Sequence, residues 1–308
     1  MGILSDAIRA ANHAERLKAQ EKAHRARCAE LKLAWALGMQ TLYKFRSVRG
    51  DSLDHVIETI QQSRIYFPSP SQFNDPFDCA PRFELSRKAD DPIFVEEAQR
   101  YRSEWMKAES LTEEQAKRRE AEEGVPHDQL PMVIREQVRR DIASSVRIFC
   151  LSGRRDHPLL WSHYADSHRG VCLHFSTDSL LKSDTNPFRY ARRVDYREER
   201  TPFFIPLADN SGTDLADIIA YTKASFWSYE EEYRIVCHGA PDFSFQLDEG
   251  FLSFYPPYLE GISFGLKIEP EIRAKLIDSC RKTNRSIALY QALENHERFG
   301  LEFEPIVI

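Results

Sequence analysis

Hydrophobic and polar positions change rhythm several times along the chain. Residues 4–38 are mostly Ala, Lys, Arg and Glu without a Pro, carrying a weak apolar stripe at Leu4, Ile8, Ala11, Leu31 and Trp35. This predicts one largely solvated helix stopping at Gly38, an arm (1–38) suited to self-association rather than to a core. The run from Thr41 to Ser47 then predicts a strand, 53–62 a helix and Arg64 to Pro68 a short strand. Pro68, Pro70 and Pro76 exclude regular structure from the loop that follows, where Asn74-Asp75-Pro76 favours an Asx-type turn.

From about 91 to 145 the pattern is helical and highly charged. Asp91-Pro92 supplies a cap and a proline at the first helical position, and Thr112 with Gln115 has the spacing of a capping box. Gly124-Val125-Pro126 breaks this helix, and a third runs to Ser144. The stretch reads as a helical insert or lid in a single domain spanning 39–308. Beyond it, apolar runs predict strands at 146–152, 171–175, 192–197, 202–207, 232–238, 251–255, 260–264, 286–290 and 301–307, with helices at 158–167, 213–225 and 269–283. Strands dominate without a regular βαβ rhythm. The expected class is therefore α+β, a mixed or antiparallel sheet core with a charged helical insert and an N-terminal helix.

Composition narrows the function classes. The 308 residues suffice for one large domain, and 42% hydrophobic with 29% charged residues is ordinary for a globular chain. A formal charge of −6 does not suit a protein that coats a nucleic-acid backbone, so contact with nucleic acid requires a local basic patch. No apolar run is long enough to span a bilayer, and the N-terminus lacks the apolar centre of a signal peptide. The six cysteines are scattered without a CxxC pair, and Cys150, Cys172 and Cys237 read as small buried hydrophobes. A cytoplasmic protein without membrane association is expected.

Three islands concentrate the chemistry: Phe73 to Cys79 (FNDPFDC), Pro158 to Phe175 (PLLWSHYADSHRGVCLHF) and Lys223 to Ile235 (KASFWSYEEEYRI). On a strand, Glu230, Glu232 and Arg234 would share one side and Glu231 with Tyr233 the other. Two carboxylates beside an arginine can stabilise a cationic, sugar-like transition state; the plainer account is a solvated ion pair. Asp75 and Asp78, held in a constrained loop, suit a phosphate, metal or ribose contact; the plainer account is that Asn74 and Asp75 merely cap the loop. Trp161, Tyr164 and His168 share a helical face that could stack a planar ring or anchor the core. The five-residue gap between His163 and His168 does not fit one helix face for a metal, and no metal is expected. Lys44 and Arg46 lie on one side of the first strand, Tyr43 and Phe45 on the other; an arginine there can fork onto a phosphate. GxGxxG, GxxxxGK[ST], GxSxG and HExxH are all absent from the sequence.

These islands, with LYKFR (42–46), GISFGLKI (261–268) and IALYQA (287–292), resemble the bacterial family numbered 2971 among the domains of unknown function, over about residues 41–308. The order of motifs is also similar to that of ADP-ribosyltransferases, which carry a basic or His residue on an early strand, a Ser/Thr or aromatic residue on a middle strand and a Glu, often ExE, on a later one. Arg46, then Ser152 or Tyr164, then Glu230-x-Glu232 would match. A Ser-Thr-Ser triplet and a first-strand His are missing. The resemblance implies NAD as a substrate, with ADP-ribose transferred to a protein or nucleic-acid acceptor or NAD hydrolysed, in a toxin or phage-defence role. Glu232 would grip the ribose, Glu230 orient the acceptor and Arg46 hold the diphosphate. Tyr164 or Trp161 would stack on nicotinamide, and Tyr43, His163, Asn74, Asp75 and Arg234 would complete the contacts. Two rivals stand beside it. One is a metal-dependent phosphodiesterase built on Asp75, Asp78, Glu230 and Glu232; the other is a non-catalytic binding or interaction module.

Overall fold

The computed structural model describes residues 20–85, 91–123, 130–179, 186–200, 202–205, 215–238 and 246–307. Helix α1 (20–30) is followed by β1 (Thr41–Arg46), α2 (Asp51–Gln62), β2 (Arg64–Tyr66) and β3 (Arg82–Leu85). The charged helices α3 (Pro92–Ala108), α4 (Glu113–Glu123) and α5 (Leu130–Ser145) lead into β4 (Val146–Ser152). Then come α6 (Pro158–Tyr164), β5 (Val171–Ser176), β6 (Arg192–Arg193), β7 (Asp195–Arg197), β8 (Pro202–Ile205), α7 (Leu215–Tyr221) and β9 (Thr222–Ala224). The chain finishes with β10 (Glu232–His238), β11 (Phe251–Ser253), β12 (Leu259–Phe264), α8 (Pro270–Arg281), β13 (Ala288–Glu294) and β14 (Leu301–Ile306).

The fold is α+β. Its centre is an eight-stranded sheet in the order β14-β13-β12-β5-β1-β4-β10-β6. The pairings are antiparallel except β12 with β13, and α8 supplies the crossover that a parallel pair requires. Aromatic side chains fill one face: Phe149, Phe175 and Phe188 are fully buried, the last two stacked with centroids 4.2 Å apart. On the opposite face α6 buries Leu160 and Trp161 against Phe45 and Cys172. Among the described residues no helix is long and apolar enough to cross a membrane.

The two sides of β1 differ. Toward β5 it pairs at every residue from Thr41 to Arg46. Toward β4 it pairs once, Tyr43 with Ser152. Just past that pair the Lys44 ammonium donates 2.7 Å to the Cys150 carbonyl and lies 4.8 Å over the Phe149 ring, so a side chain occupies an acceptor on the edge of β4. β4 itself is paired along its whole length with β10, Val146 to Ser152 against His238 to Glu232. The sheet thus consists of two well-laced halves joined by one rung.

Local departures from the expected elements have identifiable causes. Residues 4–19 lie outside the described ones; the observed helix stops at 30, and 31–38 form turns instead of continuing to Gly38. These turns dock on the body: the Ala34 amide donates 2.8 Å to the Ala191 carbonyl, Leu33 bridges Arg192, and Ala34 is buried. The proline-rich loop contains one 3₁₀ turn, Pro70–Gln72, closed by a reciprocal Ser69–Gln72 capping box. Helix α6 ends at Tyr164 because Asp166, Ser167 and His168 adopt left-handed φ of 47°, 53° and 69°. Gly170 then lets this turn pass against β1, since a Cβ there would lie 2.2 Å from the Arg46 carbonyl oxygen. The helix expected over 213–225 ends at Tyr221, where the chain extends into β9 beside β7. The expected break at Gly124-Val125-Pro126 lies outside the described residues.

Candidate functional site

The single-rung seam opens into a cavity of about 290 Å³. Backbone and side chains of both seam strands line it, from Tyr43 to Phe45 and from Cys150 to Ser152. The loop carrying Asn74, helix α6 with His163 and Tyr164, and the segment Lys223 to Glu232 close its remaining sides. All three sequence islands therefore reach one cleft.

At its floor lies a network of buried charges. The Lys223 ammonium sits 2.6 Å from Glu230 Oε2, 3.0 Å from Glu232 Oε2 and 3.7 Å from Asp78 Oδ2. The Arg234 guanidinium, fully buried, reaches Glu232 Oε1 at 2.8 Å and Asp78 Oδ2 at 2.6 Å and donates to the Ala220 carbonyl. Local structure fixes each partner. Lys223 lies on β9 opposite Tyr196 of β7, and the Tyr196 hydroxyl accepts the Glu232 amide at 2.8 Å. Ser152 donates 2.6 Å to the Glu230 carbonyl and so ties the end of β4 to the approach of β10.

Glu230 and Glu232 converge by a different route from strand alternation. Glu230 ends a 3₁₀ helix, Glu231 turns through a left-handed φ of 45°, and β10 starts only at Glu232. The turn throws Glu231 outward, where it meets Arg154 at 3.4 Å, and leaves its neighbours inside. They are 4% and 3% exposed, which rules out the solvated ion pair.

Their environments push the two carboxyls apart. Burial raises Glu230, with Glu232's like charge adding to it, and Lys223 only partly offsets this. Burial would raise Glu232 too, but Arg234 and Lys223 overcome it and hold its carboxyl below the usual carboxylate range. Glu230 Oε1 accepts the Tyr164 hydroxyl at 2.6 Å, and burial beside Glu230 raises that phenol. Burial and then Arg46's like charge lower Lys44 to about 8. A carboxylate pair split in this way has one member fixed as an anion and one able to exchange a proton.

The other candidate residues divide. Asn74, His163 and Tyr43 line the cavity, with Asn74 close to Tyr164. Tyr43 also packs edge-on against His174, with centroids 5.1 Å apart. Arg46 is not on the cavity wall; the β1 cation that is there is Lys44. Trp161 is fully buried, T-shaped on Phe45, with its indole N–H given to the Arg155 carbonyl, so it is a core anchor with no face open to a ligand. Asp75 turns away from the cleft, accepting the Trp227 indole at 2.7 Å and the Phe77 amide at 2.8 Å, which is the Asx turn the loop predicted. Arg234 lies beneath the floor and acts through Glu232. The four carboxylates of the phosphodiesterase reading do not converge, and Lys223 sits among the three that do. Sequence reasoning gave Lys223 no role, because one lysine between Thr222 and Ala224 carries no periodic signal. Cys150, which the apolar run marks as a core hydrophobe, lines the cleft close to Glu232.

Residues 160–235 match the model of a family described as protein of unknown function (DUF2971). This segment lies inside the 41–308 span of the resemblance and includes α6 from Leu160 onward, β9 and the Glu230–Arg234 run, but not β1 or FNDPFDC. No curated protein and no solved structure matches the chain. The likeness to ADP-ribosyltransferases therefore rests on motif order alone.

Proposed function

We propose that the cleft binds NAD and cleaves the bond between nicotinamide and ribose. The observation that carries this reading is the split carboxylate pair, Glu230 and Glu232, at the open end of the seam. Breaking the C1′–N bond sends its electron pair to the nicotinamide nitrogen and leaves positive charge on the ribose. The floor suits that charge: three buried carboxylates meet there, with Lys223 and Arg234 as their hydrogen-bonded cations among the described residues. Glu232, held ionised, supplies fixed negative potential. Glu230 takes the proton from the water or acceptor hydroxyl that attacks C1′, and Tyr164 holds its carboxylate in place. With water the products are ADP-ribose, nicotinamide and a proton.

Lys44 takes the role assigned to Arg46 as the cation for the diphosphate. Tyr164 and His163 replace Trp161 as the aromatic wall for nicotinamide.

Incubating the purified chain with NAD and measuring nicotinamide by chromatography tests this. Glu230→Gln keeps the shape and the hydrogen-bonding oxygen but removes the base; its turnover is expected to fall roughly 100-fold or more with an unchanged circular dichroism spectrum. A parent protein that releases no nicotinamide above buffer, or a variant as active as the parent, overturns the reading.

A further inference from the structure

On the far side of Lys223 lies a second cavity of about 290 Å³, which the catalytic reading does not use. Its floor is apolar, formed by Cys79, Ala80, Ile219 and Ala224. Two phenylalanines line it with their rings in solvent: Phe77 is 61% exposed and Phe226 67%. Rings of that size are normally covered, and a pair flanking one opening points to a ligand.

The surroundings are rich in arginine. Arg82, Arg197 and Arg200 line the opening, and the Arg200 guanidinium lies 5.1 Å from the Phe77 ring centroid. Burial lowers the Arg200 pKa, and the like charges of Arg135 and Arg139 on α5 lower it further, so these two arginines stand close by. Arg135 Nε is itself buried without a hydrogen-bond partner. Glu198 and Glu199 share the rim, and Arg82 and Arg139 pair on the surface with Glu84 and Glu136. The opening and its surroundings thus gather five arginines beside the carboxylates of Glu84, Glu136, Glu198 and Glu199, and Arg200 is the one that lies over an exposed ring.

We propose that this cavity binds single-stranded nucleic acid, stacking unpaired bases on Phe77 and Phe226 and holding the adjoining phosphates with Arg82 and Arg200. Exposed aromatic faces interleaved with arginines are the means by which proteins grip single strands without reading sequence. A duplex hides the base faces that these rings need. The cavity is at the small end for a whole drug-sized ligand, which suits one base with its backbone outside. The inference goes beyond the NAD reading and does not need it.

The test is fluorescence anisotropy of a labelled oligothymidylate of about a dozen nucleotides, titrated with the full chain in the absence of NAD. Saturable binding that weakens with added salt is expected, as is a rise in Kd of about tenfold or more in the Phe77→Ala, Phe226→Ala double variant. Both rings are exposed, so this variant keeps the fold. Arg200→Gln should reduce the slope of log K against log salt by about one. An absence of binding at low salt, a double variant that binds like the parent, or equal displacement by the same-length duplex or by polyglutamate overturns the assignment.

Discussion

Strand β1 has two edges, and they have been put to different uses. On the β5 side, six consecutive residues pair and the neighbouring side chains, Leu42, Leu173 and Phe175, are buried and apolar. On the β4 side, one pair holds and the space beyond it is taken by Lys44, a cavity and a buried ion network. The first edge gives the fold its rigidity. The second gives it a place where strand edges and titratable groups face an open cavity. A sheet can accommodate such a gap because each half is fully laced to its own neighbours.

The sharpest way to break this contrast is to strip the charge network beneath the open edge. Arg234→Met leaves Glu232 and Asp78 short of their main partner in the interior, and the expected loss is about 3–5 kcal/mol in urea unfolding. A loss below 1 kcal/mol would mean that the network is far more hydrated than its geometry indicates. On the closed edge, Leu173→Ala should cost about 2–5 kcal/mol by opening a core void, while nicotinamide release per folded molecule stays at the parental level. Ser152→Ala, at the one rung, removes a buried hydroxyl from the Glu230 carbonyl. About 1–3 kcal/mol and a disproportionate fall in turnover are expected, because that bond places Glu230.

Lys44 gives the smallest effect and the most diagnostic one. Its folded pKa of about 8 lies below the ordinary lysine value, so from pH 8 upward the unfolded chain holds more protons than the folded one. Stability should therefore rise as pH passes from about 8 toward the unfolded lysine value, by on the order of 1 kcal/mol. Lys44→Met should lack that rise in thermal melts taken across the range. Affinity for an anionic ligand in the cleft should move oppositely in the parent, falling above pH 8.

How far the sequence revealed this contrast depends on the element. The strands on both edges were legible, since runs such as VRIFCLS and VCLHF are apolar enough to mark buried strands. The capping box at Thr112 and the N-terminal proline of α6 were legible because their signals are local. The single-rung seam was not, because strand pairing is set by contacts between residues more than a hundred positions apart. Glu230 and Glu232 were found by spacing, although the left-handed turn at Glu231 and not a pleat brings them together. Arg46 and Lys44 are equivalent by alternation, and only the divergence of β1 from β4 separates them. Trp161 shares its helical face with Tyr164, but Trp161 is fully buried on Phe45 whereas Tyr164 reaches the cavity.

The central claim is that the open seam is where the ligand binds. Amide hydrogen exchange with and without saturating NAD tests it directly, read on peptides covering residues 43–47, 148–153 and 228–233 against a control covering 171–176. The account predicts slowed exchange in the first three on adding NAD and none in the fourth. Protection confined to other parts of the chain, or none at all, would contradict it.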